Sequence, residues 1–278
     1  GRNVGVFCNS NASVEEVYHV LEGALDDVVL LGYVGGENHE DLSGAFEERF
    51  RDAVERYGDD ALRSVPDGFR EGLSFGSEYN TDNLIKFYKA MGYLDRSSLL
   101  VGVSGGSLSE GVDYPGRQME MVVNVGLPYP SSAAEVAFNR RKEEYFFMQK
   151  GDRQLGEDLA YKQDAFRKVA QTVGRAHRKF SDRAVVILLD ERLLSVKNVR
   201  EGGAGRYEYL SMANARKNLG LLQEPIQRVG GNVVVGGSDE KENGQLRRYI
   251  ARGLADDNDV VTPARMAQEI RRFYGEGS

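Results

Sequence analysis

The stretch SSLLVGVSGGSLSEGVDYPG, residues 97–116, places an apolar run directly before a glycine-rich loop. Residues 97–103 predict a buried β-strand, because most of them are apolar and turn residues follow at once. The loop has the glycines of a phosphate-binding loop, lacks a lysine, and carries the carboxylates of Glu110 and Asp113. Ligands of parallel α/β sheets bind beyond the carboxyl ends of the strands. We therefore expect this loop to lie at a functional edge.

Similar apolar runs alternate with amphipathic segments on either side of this stretch. Strands are predicted at 3–8, 26–34, 97–103, 119–126 and 183–190. Helices are predicted after Ser13, which we expect to be an N-cap, and at 40–57, 80–91, 132–149 and 158–179. Continuously apolar strands that alternate with helices indicate a parallel sheet covered on both faces. The predicted fold class is α/β, with helical layers around a mostly parallel central sheet.

The chain divides into a main domain and a less regular extension. We expect the main domain to occupy residues 1–195, with an insertion at about 37–95 that is glycine-rich and irregular over 58–80. The extension, 196–278, is predicted to be mainly helical, and its segment 229–244 is typical of a mobile loop or linker. Because the chain begins with Gly1 and not with Met, we interpret it as a piece of a longer protein.

The composition argues against several classes of site. The single cysteine, Cys8, excludes a disulfide framework and an iron–sulfur cluster built from this chain alone. The three histidines are scattered without metal-binding spacing. The net charge of −7 argues against a globally basic nucleic-acid coat, although a local patch would still allow nucleic-acid binding. No run of about 18 apolar residues occurs, so no membrane span is expected.

The motifs of a self-sufficient nucleotide enzyme are absent. No GxxxxGKS/T occurs, so the chain does not encode a complete ATP site. No GxSxG or HExxH motif occurs, and nucleophilic catalysis is not expected. The run VILLDERL, residues 186–193, superficially resembles a strand that ends in metal-binding carboxylates, but without a phosphate loop a core strand that ends in surface charges is the favoured interpretation.

A second motif, QTVGRAHR at residues 171–178, lies in the predicted helix 158–179. Helical spacing places Gln171, Arg175 and Arg178 on one face. Gly174 costs the helix about 1 kcal/mol relative to alanine, which is tolerated where something must approach closely, such as a phosphate chain. The alternatives are a solvated arginine face and salt bridges within the domain.

Taken together, the two motifs resemble the last two motifs of superfamily 2 helicases, and specifically of XPD-type DNA repair helicases, which include the bacterial DinG-like enzymes. In that family the second motor domain carries GKxSEGxDF and then QxxGRxxR. The matching residues are Ser109, Glu110, Gly111, Asp113, Tyr114, Gln171, Gly174, Arg175 and Arg178. The loop VGLPYP at 125–130 and the segment from Asn9 to Ser13 also match, so the resemblance covers about residues 3–195.

The resemblance implies a RecA-like second motor domain that shares ATP and magnesium with a first motor domain outside this chain. It implies that Arg178, with Arg175 beside it, acts as an arginine finger and that Gln171 orients them. Asp113 is then the candidate for the ribose contact, and Glu110 for a brace of the loop. The implied nucleotide-side residues are Asp113, Glu110, Gly111 and Gly174. Any iron–sulfur cluster of the family belongs to the first motor domain.

The same resemblance implies a path for single-stranded DNA along the sheet edge. The candidate contacts to the DNA backbone are Asn9, Ser10, Gly105, Gly106, Ser107 and Ser109. Such contacts hold the backbone without reading the sequence. We expect 5′ to 3′ movement, with the protein in the cytoplasm of a prokaryote or the nucleus of a eukaryote. The extension 196–278 matches nothing in the family and is a possible docking site for a protein partner.

One departure from the family pattern leaves a second interpretation open. Ser107 occupies the position where the family usually has lysine, which puts a charged contact to nucleic acid or phosphate in doubt. The alternative function is a degenerate RecA-like module that binds single-stranded DNA or a partner protein without ATPase activity.

Overall fold

A computed structural model describes residues 2–25, 27–176, 184–190, 196–201, 204–209, 232–235, 249–250, 268, 270–271 and 275 of the chain. Among them the strands are β1 (Asn3–Cys8), β2 (Val29–Gly32), β3 (Ser98–Val103), β4 (Met121–Val125), β5 (Val185–Leu189), β6 (Val196–Glu201), β7 (Ala204–Tyr209), β8 (Asn232–Val235) and β9 (Tyr249–Ile250). The main sheet has the order β2-β3-β1-β4-β5-β8-β9, and β6 pairs with β7 in a separate hairpin. The pairs from β2 to β8 are parallel, and β9 is antiparallel to β8.

Helices connect the parallel strands. They are α1 (Asn11–Ala24), α2 (Glu40–Ser64), α3 (Asp67–Arg70), α4 (Thr81–Met91), α5 (Ala133–Lys150), α6 (Arg153–Glu157) and α7 (Gln163–Val173). A π-helical segment, Asp158–Lys162, joins α6 to α7, and a 3₁₀ turn, Gly174–Ala176, follows α7. Within the described part of the chain, no helix is long and apolar enough to cross a lipid bilayer.

Alternate residues of each central strand enter different cores. Phe7 of β1 and Leu100 of β3 pack in the core formed with α4 and α7. Their neighbours Val6, Cys8 and Val101 pack in the second core, formed with α1. Since both faces of the sheet are covered, most strand residues need an apolar side chain, which explains the apolar runs. The predicted α/β class with a parallel sheet between helical layers is confirmed.

The segment 37–95 builds one side of the main core. Helix α2 continues to Ser64, so the prediction that residues 58–80 are irregular is wrong over its first seven positions. Ala61 is fully buried, and Gly58 lies in the helix beside the ring of Phe75. This glycine lies inside the helix and does not end it, and a Cβ there would meet Phe75 at ordinary van der Waals distance. Helix α4 then places Leu84 and Phe87 in the same core.

Beyond residue 195, the described residues are mostly β-strand, and most of the extension that was predicted to be mainly helical lies outside the described residues. Asn232–Val235 pairs in parallel with β5, although it lies inside the segment predicted to be a mobile loop or linker. The sequence NVVV favours a strand when an open sheet edge is available to pair with it. The loop was predicted because glycines and charged residues flank this short apolar run.

Candidate functional site

The carboxyl ends of four neighbouring strands are tied together by polar groups. The Ser104 hydroxyl, after β3, donates to Asn124 Oδ1 of β4 at 2.7 Å, and both side chains are buried. The Ser104 N–H donates to the Cys8 carbonyl oxygen at the end of β1, at 2.8 Å. The Leu127 N–H, after β4, donates to Asp190 Oδ2 at 2.6 Å. The sheet therefore presents a rigid polar edge, from which the glycine-rich loop emerges.

Asp190, in the run VILLDERL, was one of the carboxylates that a metal site could use. Its carboxylate accepts from the backbone of the loop after β4, at the end of β5. Among the described residues, no group of three or more His, Cys, Asp or Glu side chains is placed to hold a metal ion. The residue therefore serves the sheet edge as a backbone acceptor.

The glycine-rich loop is folded around the hydroxyl of Ser109. The Gly105 N–H donates to Ser109 Oγ at 2.8 Å, and that hydroxyl lies 3.2 Å from the Val103 carbonyl oxygen. Gly105 has a φ of 81° and Gly111 a φ of 73°, a region that favours glycine. Ser109 is only 1% exposed. Its predicted contact to DNA is therefore corrected to an internal brace, because its hydroxyl faces the loop backbone.

Two buried side chains anchor this loop in the core. Leu108 and Tyr114 are almost fully buried, and the Tyr114 hydroxyl donates to the Leu108 carbonyl oxygen at 2.7 Å. Lys89 of α4 covers the Tyr114 ring, with its Nζ 5.3 Å from the ring centroid. Burial lowers the pKa of Lys89, while the nearby carboxylate of Asp113 acts in the opposite direction. Sequence reasoning missed Lys89, because α4 is distant from both motifs along the chain.

Arg175 connects the two motifs directly. Its Nε donates to the Ser109 carbonyl oxygen at 2.9 Å, and its Nη1 donates to Asp113 Oδ1 at 3.1 Å. Its own carbonyl oxygen accepts from the Tyr114 N–H at 2.9 Å. The Arg175 side chain is 16% exposed, whereas Asp113 is 50% exposed. The structure thus brings Arg175 and Asp113 together, with Arg175 turned toward its own domain.

The rest of the second motif differs partly from the predicted helix. Helix α7 ends at Val173, and residues 174–176 form a 3₁₀ turn, so Gln171 and Arg175 do not share one continuous α-helix. Gln171 is exposed. A Cβ added at Gly174 would meet nothing within 4 Å, so the packing of the described domain does not require glycine there. Arg178 lies outside the described residues.

Glu110 does not make the contact that was predicted for it. Its carboxylate is exposed and makes no hydrogen bond or ion pair with another described residue. The carboxylate that pairs with an arginine is Asp113. The loop brace is therefore assigned to Asp113 and Ser109, because Arg175 reaches the loop at its Asp113 end.

Asn9 and Ser10 lie at the same edge but serve helix α1. Ser10 Oγ accepts from the Ser13 N–H at 3.2 Å, which makes Ser10 the N-cap in place of the predicted Ser13. The Ser13 hydroxyl instead donates to Asn9 Oδ1 at 2.7 Å. Both Asn9 and Ser10 are half-buried. Gly106 is half-buried and Ser107 is exposed, so these two loop residues remain open to a ligand.

A comparison with known families shows which family the chain belongs to. A sequence profile for the family described as the helicase C-terminal domain matches residues 1–201. The chain belongs to the helicase C-terminal domain family. The resemblance to XPD-like superfamily 2 helicases is thereby confirmed, and the loop and the QxxGRxxR segment lie inside the matched region.

Several known relatives are helicases by name. The chain is similar to the ATP-dependent DNA helicase chl1 of Schizosaccharomyces pombe, with 33% identity over 131 residues, 45% of this chain and 15% of that protein. It is also similar to the regulator of telomere elongation helicase 1 homolog of Caenorhabditis elegans, with 33% identity over 102 residues, 35% of this chain and 10% of that protein. The match to the Fanconi anemia group J protein homolog of Gallus gallus is 30% over 128 residues, 44% of this chain and 10% of that protein. The matched stretches are thus a small part of these proteins.

A solved apo structure of XPD is also similar to this chain. The likeness covers 84% of this chain and 40% of the XPD chain, at 19% identity and a TM-score of 0.37.

Proposed function

We propose that this chain is the second motor domain of an ATP-dependent DNA helicase and works with a first motor domain. The observation that carries the proposal is the bond network of Arg175, which joins the loop after β3 to the end of α7 at the carboxyl edge of the sheet. A change at one motif is therefore transmitted to the other. Its place inside a helicase C-terminal domain makes ATP and DNA the ligands to expect.

The ATP site is half complete in this chain. The first motor domain would supply the phosphate loop and the magnesium carboxylates, and this domain the arginine and the ribose contact. When bound, ATP with magnesium supplies the phosphoryl group and spreads its charge over oxygens that an arginine stabilises. The exposed Gln171, the open space beside Gly174 and the half-exposed Asp113 fit such a cleft.

We divide the two arginines by role. Arg178 is the proposed finger, which contacts the transferred phosphoryl group. Arg175 is a positioning residue, because its guanidinium already binds Asp113 and the Ser109 carbonyl and is largely buried. Arg175 thus sets the distance between the loop and the end of α7. Asp113 retains exposed surface with which to accept a ribose hydroxyl.

The DNA part of the proposal rests on the exposed residues of the same edge. Ser107 presents its N–H and hydroxyl to a phosphate, beside Gly105 and Gly106, whose own N–H groups are donated to Ser109 Oγ and the Val103 carbonyl oxygen. Asn9 and Ser10 place the start of α1 at the same edge. We propose sequence-independent, salt-sensitive binding of single-stranded DNA, with 5′ to 3′ movement and a role in DNA repair. Cleft closure on ATP binding would alter this grip.

The decisive experiment replaces Arg178 in the protein that carries both motor domains. We expect Arg178→Ala to lower DNA-stimulated ATP hydrolysis by roughly 10³-fold or more, the range of an arginine finger, with ATP binding largely retained. Arg153→Ala is the matched control, since this arginine is 79% exposed and pairs only with Glu143 among the described residues. Near-normal turnover of the Arg178→Ala protein would contradict the finger assignment.

A second candidate function follows from the exposed Ser107. A module that grips single-stranded DNA or a partner without hydrolysis needs neither a finger nor a first motor domain. We expect no hydrolysis by the 278-residue chain alone and recovery when the first motor domain is added. Failure to recover, together with retained DNA binding, would favour the binding module.

A further inference from the structure

Helix α7 carries a second cation toward the glycine-rich loop. Lys168 precedes Arg175 by seven residues, which is about 10.5 Å along a helix axis at 1.5 Å per residue. Arg175 binds the loop at its Asp113 end. Lys168 lies at the opposite end, where the loop leaves β3. Lys168 of α7 and Arg175, which follows α7, therefore bracket the loop.

The contact is defined at Gly105. A Cβ built on Gly105 would lie 3.5 Å from Lys168 Cδ and 3.6 Å from Glu110 Oε1. The Lys168 stem and the Glu110 carboxylate thus flank the same backbone position. Ser107 follows two residues later, so its Cα is at most about 7.6 Å from that of Gly105. The amine of Lys168 is consequently within reach of the region in front of Ser107.

Lys168 keeps a charge that is available to a ligand. Its Nζ is 3.7 Å from Glu135 Oε1, a loose ion pair, and its side chain is 34% exposed. Arg175, in contrast, is 16% exposed and donates two hydrogen bonds within the domain. A loose, partly solvated pair is easily exchanged for a phosphate oxygen, since it contributes little in water.

The loop itself needs a positive charge before it can hold an anion. Glu110 and Asp113 both lie on it, and Asp113 is bound by Arg175. The Glu110 carboxylate lies at the other end and would repel a phosphate near Ser107. The N–H of Ser107 has no partner within the described residues, and its side chain is exposed. The cationic side chain among the atoms nearest to a Cβ built on Gly105 is that of Lys168, which can offset Glu110.

We propose that Lys168 supplies the charge with which this loop holds a backbone phosphate of single-stranded nucleic acid, together with the Ser107 N–H and hydroxyl. The inference deepens the proposed function and rests on it. It also accounts for the serine at position 107, where the family usually has lysine, because the positive charge is supplied by α7 and not by the loop.

The test measures binding of a fluorescent oligo-dT strand as a function of salt, with the protein that carries both motor domains and no nucleotide. One lost phosphate contact lowers the slope of log K against log salt by about 0.7 for single strands. We expect this change for Lys168→Ala, with roughly two- to fivefold weaker binding at low salt, the range of an exposed ion pair. Arg167→Ala is the matched control, because Arg167 is the neighbouring cation, is 66% exposed and pairs with Asp164.

A second variant protects the test against a simple folding defect. In Ser107→Lys combined with Lys168→Ala, the charge returns from the loop side, and we expect the salt slope and affinity to recover. Thermal unfolding of each variant is measured alongside. Recovery by the double variant would support the proposal even if Lys168→Ala lowers stability.

The remaining outcomes separate the two proposals. Unchanged slopes for Lys168→Ala, with normal binding by the unsubstituted protein, would overturn the role of Lys168 and leave the helicase function standing. No DNA binding by the unsubstituted protein would instead contradict the proposed function. A raised KM for ATP with unchanged DNA affinity would assign the phosphate to the nucleotide and overturn the proposal.

Discussion

Arg175 shows how one side chain joins two distant parts of the sequence. The residue follows the end of α7, yet its three polar contacts all go to residues 109–114. The bond to the Ser109 carbonyl is shielded, whereas the bond to Asp113 reaches half-exposed carboxylate. We infer that the carbonyl contact contributes more to stability, and that the Asp113 contact is the exchangeable one.

This division predicts unequal effects of two substitutions. Arg175→Ala should lower the free energy of unfolding by about 1.5–3 kcal/mol, because it leaves the Ser109 carbonyl and Asp113 without this donor. Asp113→Asn should cost less than about 1 kcal/mol, since the carboxylate is half exposed. Urea denaturation of both variants and of the double variant measures the coupling. Equal losses for the two single variants would contradict the division.

Two buried tyrosines offer a matched pair at the same scale. Tyr88 and Tyr114 are both fully buried, and their rings meet edge to face with centroids 5.7 Å apart. The Tyr114 hydroxyl donates to Leu108, whereas the Tyr88 hydroxyl has no hydrogen-bond partner within the described residues. Burial raises the pKa of both hydroxyls. Only one of the two hydroxyls thus contributes a bond.

We therefore expect opposite results from removing the two hydroxyls. Tyr114→Phe should lower the free energy of unfolding by about 1–3 kcal/mol, because the Leu108 carbonyl loses its donor. Tyr88→Phe should be neutral or stabilising, because it removes an unpaired polar group. Thermal or chemical unfolding measures both. A clear loss of stability in Tyr88→Phe would show that its hydroxyl is bonded in solution.

At the scale of elements, the start of α1 illustrates why a polar residue at a functional edge need not bind a ligand. Ser10 precedes a helix of 14 residues, and its hydroxyl accepts from the Ser13 N–H. Asn80 caps α4 in the same way, with Oδ1 2.9 Å from the Asn83 N–H, and it is not among the residues predicted to contact DNA. Substitutions at the two N-caps can therefore distinguish the loss of a helix cap from the loss of a DNA contact.

Ser10→Ala and Asn80→Ala should each lower the free energy of unfolding by about 1 kcal/mol through loss of the cap. Ser10→Asn should restore stability, because asparagine caps as well as serine does. DNA affinity at matched salt is then measured for all three variants. If Ser10→Asn binds DNA more weakly while its stability is normal, the serine hydroxyl itself contacts DNA.

At the scale of the whole molecule, the end of the chain returns to the sheet. Ile270 packs against Val185 and Ile187 of β5, on the sheet face shared with Val123. β8 extends the same sheet beyond β5. Ile270 and β8 of the extension 196–278 therefore pack with the main sheet, whereas β6 and β7 pair with each other in a separate hairpin.

Ile270→Ala should consequently lower the free energy of unfolding by about 1–2 kcal/mol, less than a fully buried isoleucine would, because Ile270 is only half-buried. Gln268→Ala is the control, since Gln268 is exposed and lies two residues away. Both variants are compared by chemical denaturation. Equal stability of the two would show that the end of the chain does not pack on β5 in solution.

The sequence by itself determined strands β1 to β5, the α/β class and the family, whereas the position of the functional edge stays a prediction. These follow from local patterns: continuous apolar runs for strands buried on both faces, and two motifs whose residues are close in the sequence. Two local predictions were wrong: the N-cap of α1 at Ser13, and the end of the helix before residue 58. In both cases the local sequence leaves more than one structure open. Neighbouring serines compete equally for a helix start, and glycine, which ends some helices, lies inside others.

Only the tertiary structure decided which residues of the site meet. Arg175 and Asp113 are 62 residues apart, and Lys168 and Gly105 are 63 apart, so no periodicity or spacing could predict that these pairs touch. The same holds for three further features: the Ser109 hydroxyl faces the loop backbone, Lys89 covers the Tyr114 ring, and β8 pairs with the main sheet. They depend on how helices and sheet pack, and packing selects among side-chain directions and strand partners that the local sequence leaves equally open.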